Sequence, residues 1–162
     1  MALDVETVYR AVVQTLIDAT ATIAGSLTTD EVRTIRRGNP MALPIDLTGY
    51  PAIAVQLLRE SESFAQIGQR NNDHELEFAI TPVMNLPMTV DVGQEGETSA
   101  EQADREIRTM AKNIKAALKA NITLSGTAYW SLPESVDYFP AEIKGTFVPA
   151  ATILFRTKHR ST

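Results

Sequence analysis

One stretch of this sequence is apolar along one side and charged along the other, and it dictates what the rest must provide. It runs from Ser99 to Asn121, SAEQADREIRTMAKNIKAALKAN. Ala103, Ile107, Met110, Ile114 and Leu118 recur at a period near 3.6 residues, with Ala111 and Ala117 flanking that line, which predicts an amphipathic helix. Ser99 followed by Gln102 fits a capping box. Glu101 and Asp104 sit near the positive end of the helix dipole, Lys112, Lys115 and Lys119 gather near its negative end, and Asn121 reads as the stop. On the outer face Glu101 precedes Arg105 and Asp104 precedes Arg108 by one helical turn, pairs worth ~0.3 kcal/mol each when solvated. A helix of this kind does not stay folded with its Ile and Met stripe in water, so the flanking segments must offer an apolar surface, most simply one face of a sheet.

Those segments fit the requirement. Asp4 is a candidate N-cap for a first helix whose face is Val5, Val8, Val12, Leu16 and Ile23, joined by Tyr9, Val13 and Ile17, reaching about Ala24 before Gly25. Its Thr7, Thr15, Thr20 and Thr22 lower helix preference, so its helicity depends on docking. Residues 26–51 hold Pro40, Pro44 and Pro51 with Gly38 and Gly49, and read as a loop with at most a short edge strand at Val32 to Arg37, made basic by Arg33, Arg36 and Arg37. Pro51 opens PAIAVQLLRE, a central strand burying Ile53, Val55 and Leu57. ESESFAQIGQRNND reads as a polar connection tethered by Phe64 and Ile67. HELEFAITPV follows as a half-solvated strand of Leu76, Phe78 and Ile80 that Pro82 ends or breaks. NLPMTVDVGQEGETS is a long excursion before the main helix. After it come a turn with a short strand in ITLSGTAYWSLPESVDYFP and a longer strand in KGTFVPAATILFRTKHR. In the latter Phe147, Pro149, Ala151, Ile153 and Phe155 share one side, Pro149 implies an edge or bulge, and the RTKHR tail is expected to be exposed. This order predicts one α+β domain over residues 1–162: a mixed or antiparallel sheet of about four main strands, with the long helix and the N-terminal helix packed against it.

The totals restrict function. A length of 162 residues with 44% apolar side chains supports one core, and a formal charge of −5 disfavours nonspecific DNA binding as the main task. The absence of cysteine excludes disulfides and thiolate metal sites. No long apolar run or basic-apolar leader is present, so the expectation is a soluble protein that does not enter a membrane.

Reactive motifs are missing as well. His74 and His159 have no metal-site or catalytic spacing, and no nucleophile elbow, phosphate loop or dinucleotide fingerprint occurs. Gly93 and Gly96 lie in an acidic stretch, and Asp91, Glu95 and Glu97 lack the ligand order of a calcium loop. No catalytic, cofactor or metal site is therefore assigned. The residues left as candidates for subunit contact are Arg33, Arg36 and Arg37 of the basic strand, with Tyr129, Trp130 and Tyr138, which beside Phe139 suggest an aromatic platform.

An N-terminal helix, a Pro-containing loop leading to PAIAVQLL, the strand ELEFAITPV, a long helix ending IKAALKANITLSGTAYW and the last strand FVPAATILF together resemble the tail terminator proteins of long-tailed bacteriophages, also called tail completion or minor tail proteins. The resemblance covers most of the chain and rests on element order, lengths and the passage from a helix ending AAL to an N-x-T-L-x-G turn. It implies a sheet with helices on one side and a virion protein, made in the host cytoplasm, that forms a hexameric ring at the head-to-tail junction. Such a ring stops polymerisation of the tail tube protein and joins the tail to the head connector or stopper protein, while DNA passes through without specific binding. It implies no catalytic residues and no cofactor. Two alternatives accompany this expectation: another junction ring (a stopper or connector), and a small α+β enzyme or ligand-binding domain.

Overall fold

A computed structural model describes residues 3–25, 27, 31–44, 47–64, 72–88 and 99–161. The elements are α1 (Val5–Asp18), α2 (Thr20–Ala24), β1 (Thr34–Arg37), short 3-10 turns at Pro40–Ala42 and Leu47–Gly49, β2 (Ala52–Phe64), β3 (Asn72–Val83), α3 (Ser99–Lys119), β4 (Trp130–Ile143) and β5 (Thr146–Ser161). The five strands form one mixed sheet in the order β1-β2-β3-β5-β4. The β1–β2 pair is parallel, because the chain must return across the end of the sheet through residues 38–51. The other neighbours are antiparallel.

The predicted stripe of α3 is the buried one: Ala103, Ile107, Met110, Ile114 and Leu118 are at most 2% exposed. Ile107, Met110, Ile114 and Leu118 share a cluster with Val8, Val12, Leu16 and Ile23 of the first helices and with Ile53, Val55, Leu76, Phe78, Ile80, Ala151, Ile153 and Phe155 of one sheet face. Hydrogen bonds fix how the helices sit. Asn113 Nδ2 of α3 donates to Ile23 O (3.0 Å), and Asn121 Nδ2, just beyond α3, donates to Thr15 Oγ1 (3.1 Å). Asn121 Oδ1 also accepts from Ser125 N (2.9 Å), which makes it the hinge of the turn after the helix. Among the described residues the opposite sheet face is covered at one end, where Leu43 and Tyr50 of the 38–51 return pack on Ala52, Ala54, Val83, Ile143, Val148 and Ala150. Gly49 is required in this return, since a Cβ there would lie 2.7 Å from Pro44 Cγ.

Several expectations need correction. The first helix is two: Thr15 Oγ1 donates back to Ala11 O (2.7 Å), a bond that bends helices, and the chain breaks at Ala19. α3 begins at Ser99, so the residue before it, Thr98, lies outside the described residues, as do Gly93, Gly96, Asp91, Glu95 and Glu97 of the preceding excursion. The basic strand is shorter than expected, Thr34–Arg37, although it is an edge. Glu60–Phe64 and Asn72–Asp73 are not a connection but paired strand, Glu60 to Leu76 through Phe64 to Asn72. Polar residues occupy both faces there and erase the period-2 signal, and a register shift between Leu57 and Arg59 turns the strand over. Ile67 and the side chain of Phe64 lie outside the described residues. Pro82 sits inside β3 opposite Ile53, while the strand runs on to Val83.

The last two strands differ most. β4 spans 14 residues, not a short piece, because as the outer strand it tolerates Pro133, a bulge before Ser135 and Pro140. β5 is flanked by β3 and β4, so Pro149 marks no edge. Pro149 O accepts from Met84 N (3.0 Å), which turns its polar backbone towards β3 and makes the Pro140–Pro149 pair a non-hydrogen-bonded one, where a missing N–H leaves the β4 ladder intact. The tail is not simply exposed either: Thr157 and His159 are buried, alternating with the partly exposed Arg156 and Lys158. Lys144 and Gly145 join β4 to β5 with φ of 48° and 78°, the two positive values of a type I′ hairpin turn.

Burial of Ile107, Met110, Ile114 and Leu118 is worth roughly 6–12 kcal/mol in transfer terms, as much as a whole domain's stability. Ile114→Asp is therefore expected to leave most of the protein unfolded or insoluble. Arg108→Asp, an exposed position whose partner among the described residues is the exposed Asp104 (2.8 Å), is expected to shift stability by under about 1 kcal/mol. Thermal melts of the two variants check this; a near-wild-type melt for Ile114→Asp would mean that the buried face has been misassigned.

Candidate functional site

Among the described residues, the surfaces open to other molecules include the two sheet edges and the part of the second sheet face that the 38–51 return leaves bare. The β1 edge is the more occupied. Arg37 forms a bidentate pair with Glu6 of α1, Nη1 to Oε1 at 2.6 Å and Nη2 to Oε2 at 2.8 Å, and its guanidinium lies 4.0 Å from the centre of the Tyr9 ring. Tyr9 in turn donates from its hydroxyl to Val55 O, accepts from Gly38 N (3.2 Å) and meets Phe78 edge-on at 5.4 Å. Arg37 thus clamps α1 to the sheet. Arg33 donates to Thr48 O (2.9 Å) and to Glu31 (2.5 Å), holding the return segment. Arg36 is exposed and, being paired with Ala54 in register, projects on the opposite face from Arg37.

The aromatic candidates do not form one platform. Tyr129 and Trp130 stand at the start of β4 and Tyr138 and Phe139 eight residues later, roughly 26 Å on at ~3.3 Å per residue. Tyr138 pairs with Ala151 and so faces the helix side, while Phe139, paired with Ala150, faces the other. Tyr129 is 58% exposed, with the Arg160 guanidinium 4.9 Å from its ring centre. What β4 does present is a row of large apolar groups along one free edge: Leu132 at 44% exposed, Tyr138 at 50% and Phe139 at 38%, with Phe147 of β5 at 52%. The strand's length was not apparent from the sequence, so neither was this concentration, although Leu132, Tyr138 and Phe139 all lie within LPESVDYF.

On the uncovered sheet face, beyond the apolar end, charges interlock. Arg156 Nη2 lies 2.8 Å from Glu77 and 3.3 Å from Glu134, with its Nη1 4.0 Å from Glu75. Asp73 lies 3.5 Å from both Lys158 Nζ and Arg160 Nε. The sequence hid this because the partners come from three strands. On the helix side of the same strands His159 is buried, its Nε2 2.8 Å from Thr157 Oγ1 and its Nδ1 2.9 Å from Thr127 O, and burial lowers its pKa from the ordinary value. His74 lies 3.8 Å from Glu62. These histidines serve the packing of the β3–β5 end.

The surface hollows are shallow. One of about 400 Å³ is lined by Pro40, Met41, Leu43, Pro44, Tyr50 and residues 142–144, and one of about 330 Å³ lies between α3 and β4. Among the described residues, no three His, Asp or Glu side chains converge to hold a metal ion, and no helix is long and apolar enough to cross a membrane. No family model matches the chain, and no curated protein matches it.

The Glu6–Arg37 clamp gives a pH signature. The Arg37 guanidinium holds the Glu6 carboxyl down to about 2 from its ordinary 4.5. A carboxyl depressed by folding binds protons more readily in the unfolded chain, so its stabilisation is complete above 4.5 and is lost as pH falls towards 2. Melting temperature followed by circular dichroism across that window should fall more steeply for wild type than for Glu6→Gln; parallel profiles would show that the pair contributes nothing.

Proposed function

We propose that this chain is a virion structural protein that caps the end of a bacteriophage tail tube, ends tube polymerisation and joins the tail to the head connector, as tail terminator proteins do. The observation that carries the reading is the β4 edge: a 14-residue strand with one side unpaired among the described residues, bearing Leu132, Tyr138 and Phe139 exposed along it. A long outer strand of this kind is a liability in a monomer and an asset in an assembly. The resemblance in element order, from PAIAVQLL to FVPAATILF, supports the same assignment.

The mechanism is recognition by shape. Copies joined through unlike surfaces close into a ring when the rotation between them is a whole fraction of a turn, and a ring of six has a mass of about 106 kDa. Seated on the tube, it occupies the edges that the next tube subunit needs, and its other side offers the connector a different surface. No bond is made or broken. The sequence charge of −5 suits a conduit, because acidic walls repel phosphates within a Debye length of about 10 Å. A stopper or connector ring at the same junction is the alternative within this class, and it differs in the partner met on the tube side.

Inactivating the gene should give particles whose tubes exceed the normal length and carry no heads, with normal tubes restored by complementation; tubes of normal length in the absence of the protein would reject the cap. Purified protein should leave duplex DNA unshifted at physiological salt in a gel-mobility assay. Submicromolar, salt-sensitive binding would instead revive a nucleic-acid role.

A further inference from the structure

The hollow between α3 and β4 is basic, on a chain whose net charge is −5. It is lined by Arg108, Lys112, Lys115 and Lys119 on one side and Val136 and Tyr138 on the other, with Ala111 and Ala116 between. The four cations recur at steps of four, three and four residues, so they form one stripe down the last three turns of α3. Arg108 is paired with Asp104, but among the described residues no ion pair or hydrogen bond engages Lys112, Lys115 or Lys119. Opposite the stripe, β4 exposes backbone as well. Because Pro140 and Pro149 form a non-hydrogen-bonded pair, the polar groups of Pro140, Tyr138 and Val136 point away from β5 to the free edge.

We infer that this groove is a docking site for an extended, acidic segment of another protein chain. Charge selects an acidic occupant, since three lysines with no partner among the described residues stand together on a molecule of net charge −5. Geometry selects an extended one. Carboxylates two residues apart in an extended chain recur every ~6.8 Å, close to the ~6 Å rise between Lys115 and Lys119 on the helix. Such a segment can pair its main chain with Val136 and Tyr138, in the manner of strand addition, within the window that Pro133 and Pro140 leave open. The methyl groups of Ala111, Ala116 and Val136 and the Tyr138 ring give its intervening apolar side chains a floor. A phosphodiester backbone has no use for that floor, and this favours a peptide over nucleic acid. The site does not depend on ring formation.

The test is a fluorescence-anisotropy titration of the full-length protein with a short fluorescein-labelled peptide of alternating glutamate and valine. Saturable binding is expected, weakening as salt rises from about 50 to about 200 mM. Lys115→Glu should weaken it at least tenfold, whereas Lys144→Glu, an equal charge change at the exposed hairpin turn, should weaken it less than about twofold. Replacing Lys112, Lys115 and Lys119 together by glutamine, with an unchanged melting temperature, should abolish it. Absence of saturable binding, or equal losses in Lys115→Glu and Lys144→Glu, would overturn the assignment. Tighter binding of a duplex oligonucleotide that displaces the peptide would overturn it in favour of nucleic acid. Sedimentation equilibrium separates the remaining case: self-association of wild type that Lys115→Glu abolishes would make the occupant a second copy and remove the foreign partner.

Discussion

Everything in this fold rests on the contact between the apolar stripe of α3 and the sheet face made by β2, β3 and β5. Ile107, Met110, Ile114 and Leu118 meet Phe78, Ile80, Ile153 and Phe155 there, and α1 and α2 close the cluster from the side. The helix has too many charges to be buried elsewhere, and the three strands have too many β-branched and aromatic groups on that face to be left wet. The polar bonds are placed to serve this contact. Asn113 and Asn121 tie α3 to the α1–α2 bend, and the Glu6–Arg37–Tyr9 set ties α1 to β1 and β2. Each is modest alone; together they fix the one arrangement in which the stripe is dry.

Covering one face fully settles what the other surfaces are. The described part of the 38–51 return protects the end of the second face near Ala52, Val83 and Ala150. The interlocked charges of Asp73, Glu75, Glu77, Glu134, Arg156, Lys158 and Arg160 keep the other end soluble, being partly exposed pairs that contribute little to stability but discourage sheet stacking. β4 has neither device along Val136–Phe139. Its apolar groups, and the lysine stripe of α3 beside it, are what a partner would meet first. In the proposed role this strand is where a ring or junction contact forms.

How much of this was legible depended on whether one strand or several carried the signal. The α3 stripe, the burial of Ile53 and Val55 and the alternation of Leu76, Phe78 and Ile80 are properties of single segments, and they read directly. The strand formed by Glu60–Phe64 was invisible because its polar residues are held by pairing with Asn72–Leu76 and not by burial. β4 reads as a short strand because Pro133 and Pro140 look like stops, whereas an outer strand accepts both. Pro149 misled for a related reason: its backbone polar groups point towards Met84 just past β3, so its missing donor leaves the ladder with β4 intact. The candidate residues fared likewise. Arg37 looked free in sequence because its partner lies 31 positions away in α1, and the lysines of α3 read as dipole-compensating charge until Val136 and Tyr138 were placed across from them.

The claim with the most at stake is that this chain ends a tube by forming a closed ring upon it. Single-particle reconstruction of the head-to-tail junction from intact virions, with the chain traced by its long helix and five-stranded sheet, measures that claim directly. The expected result is one closed ring of about six copies between the last tube layer and the connector, with β4 edges engaged in contacts and the lumen lined by neutral or acidic side chains. A single copy at the junction, an open helical stack, or a ring whose lumen is lined by Arg33, Arg36 and Lys112 would contradict it.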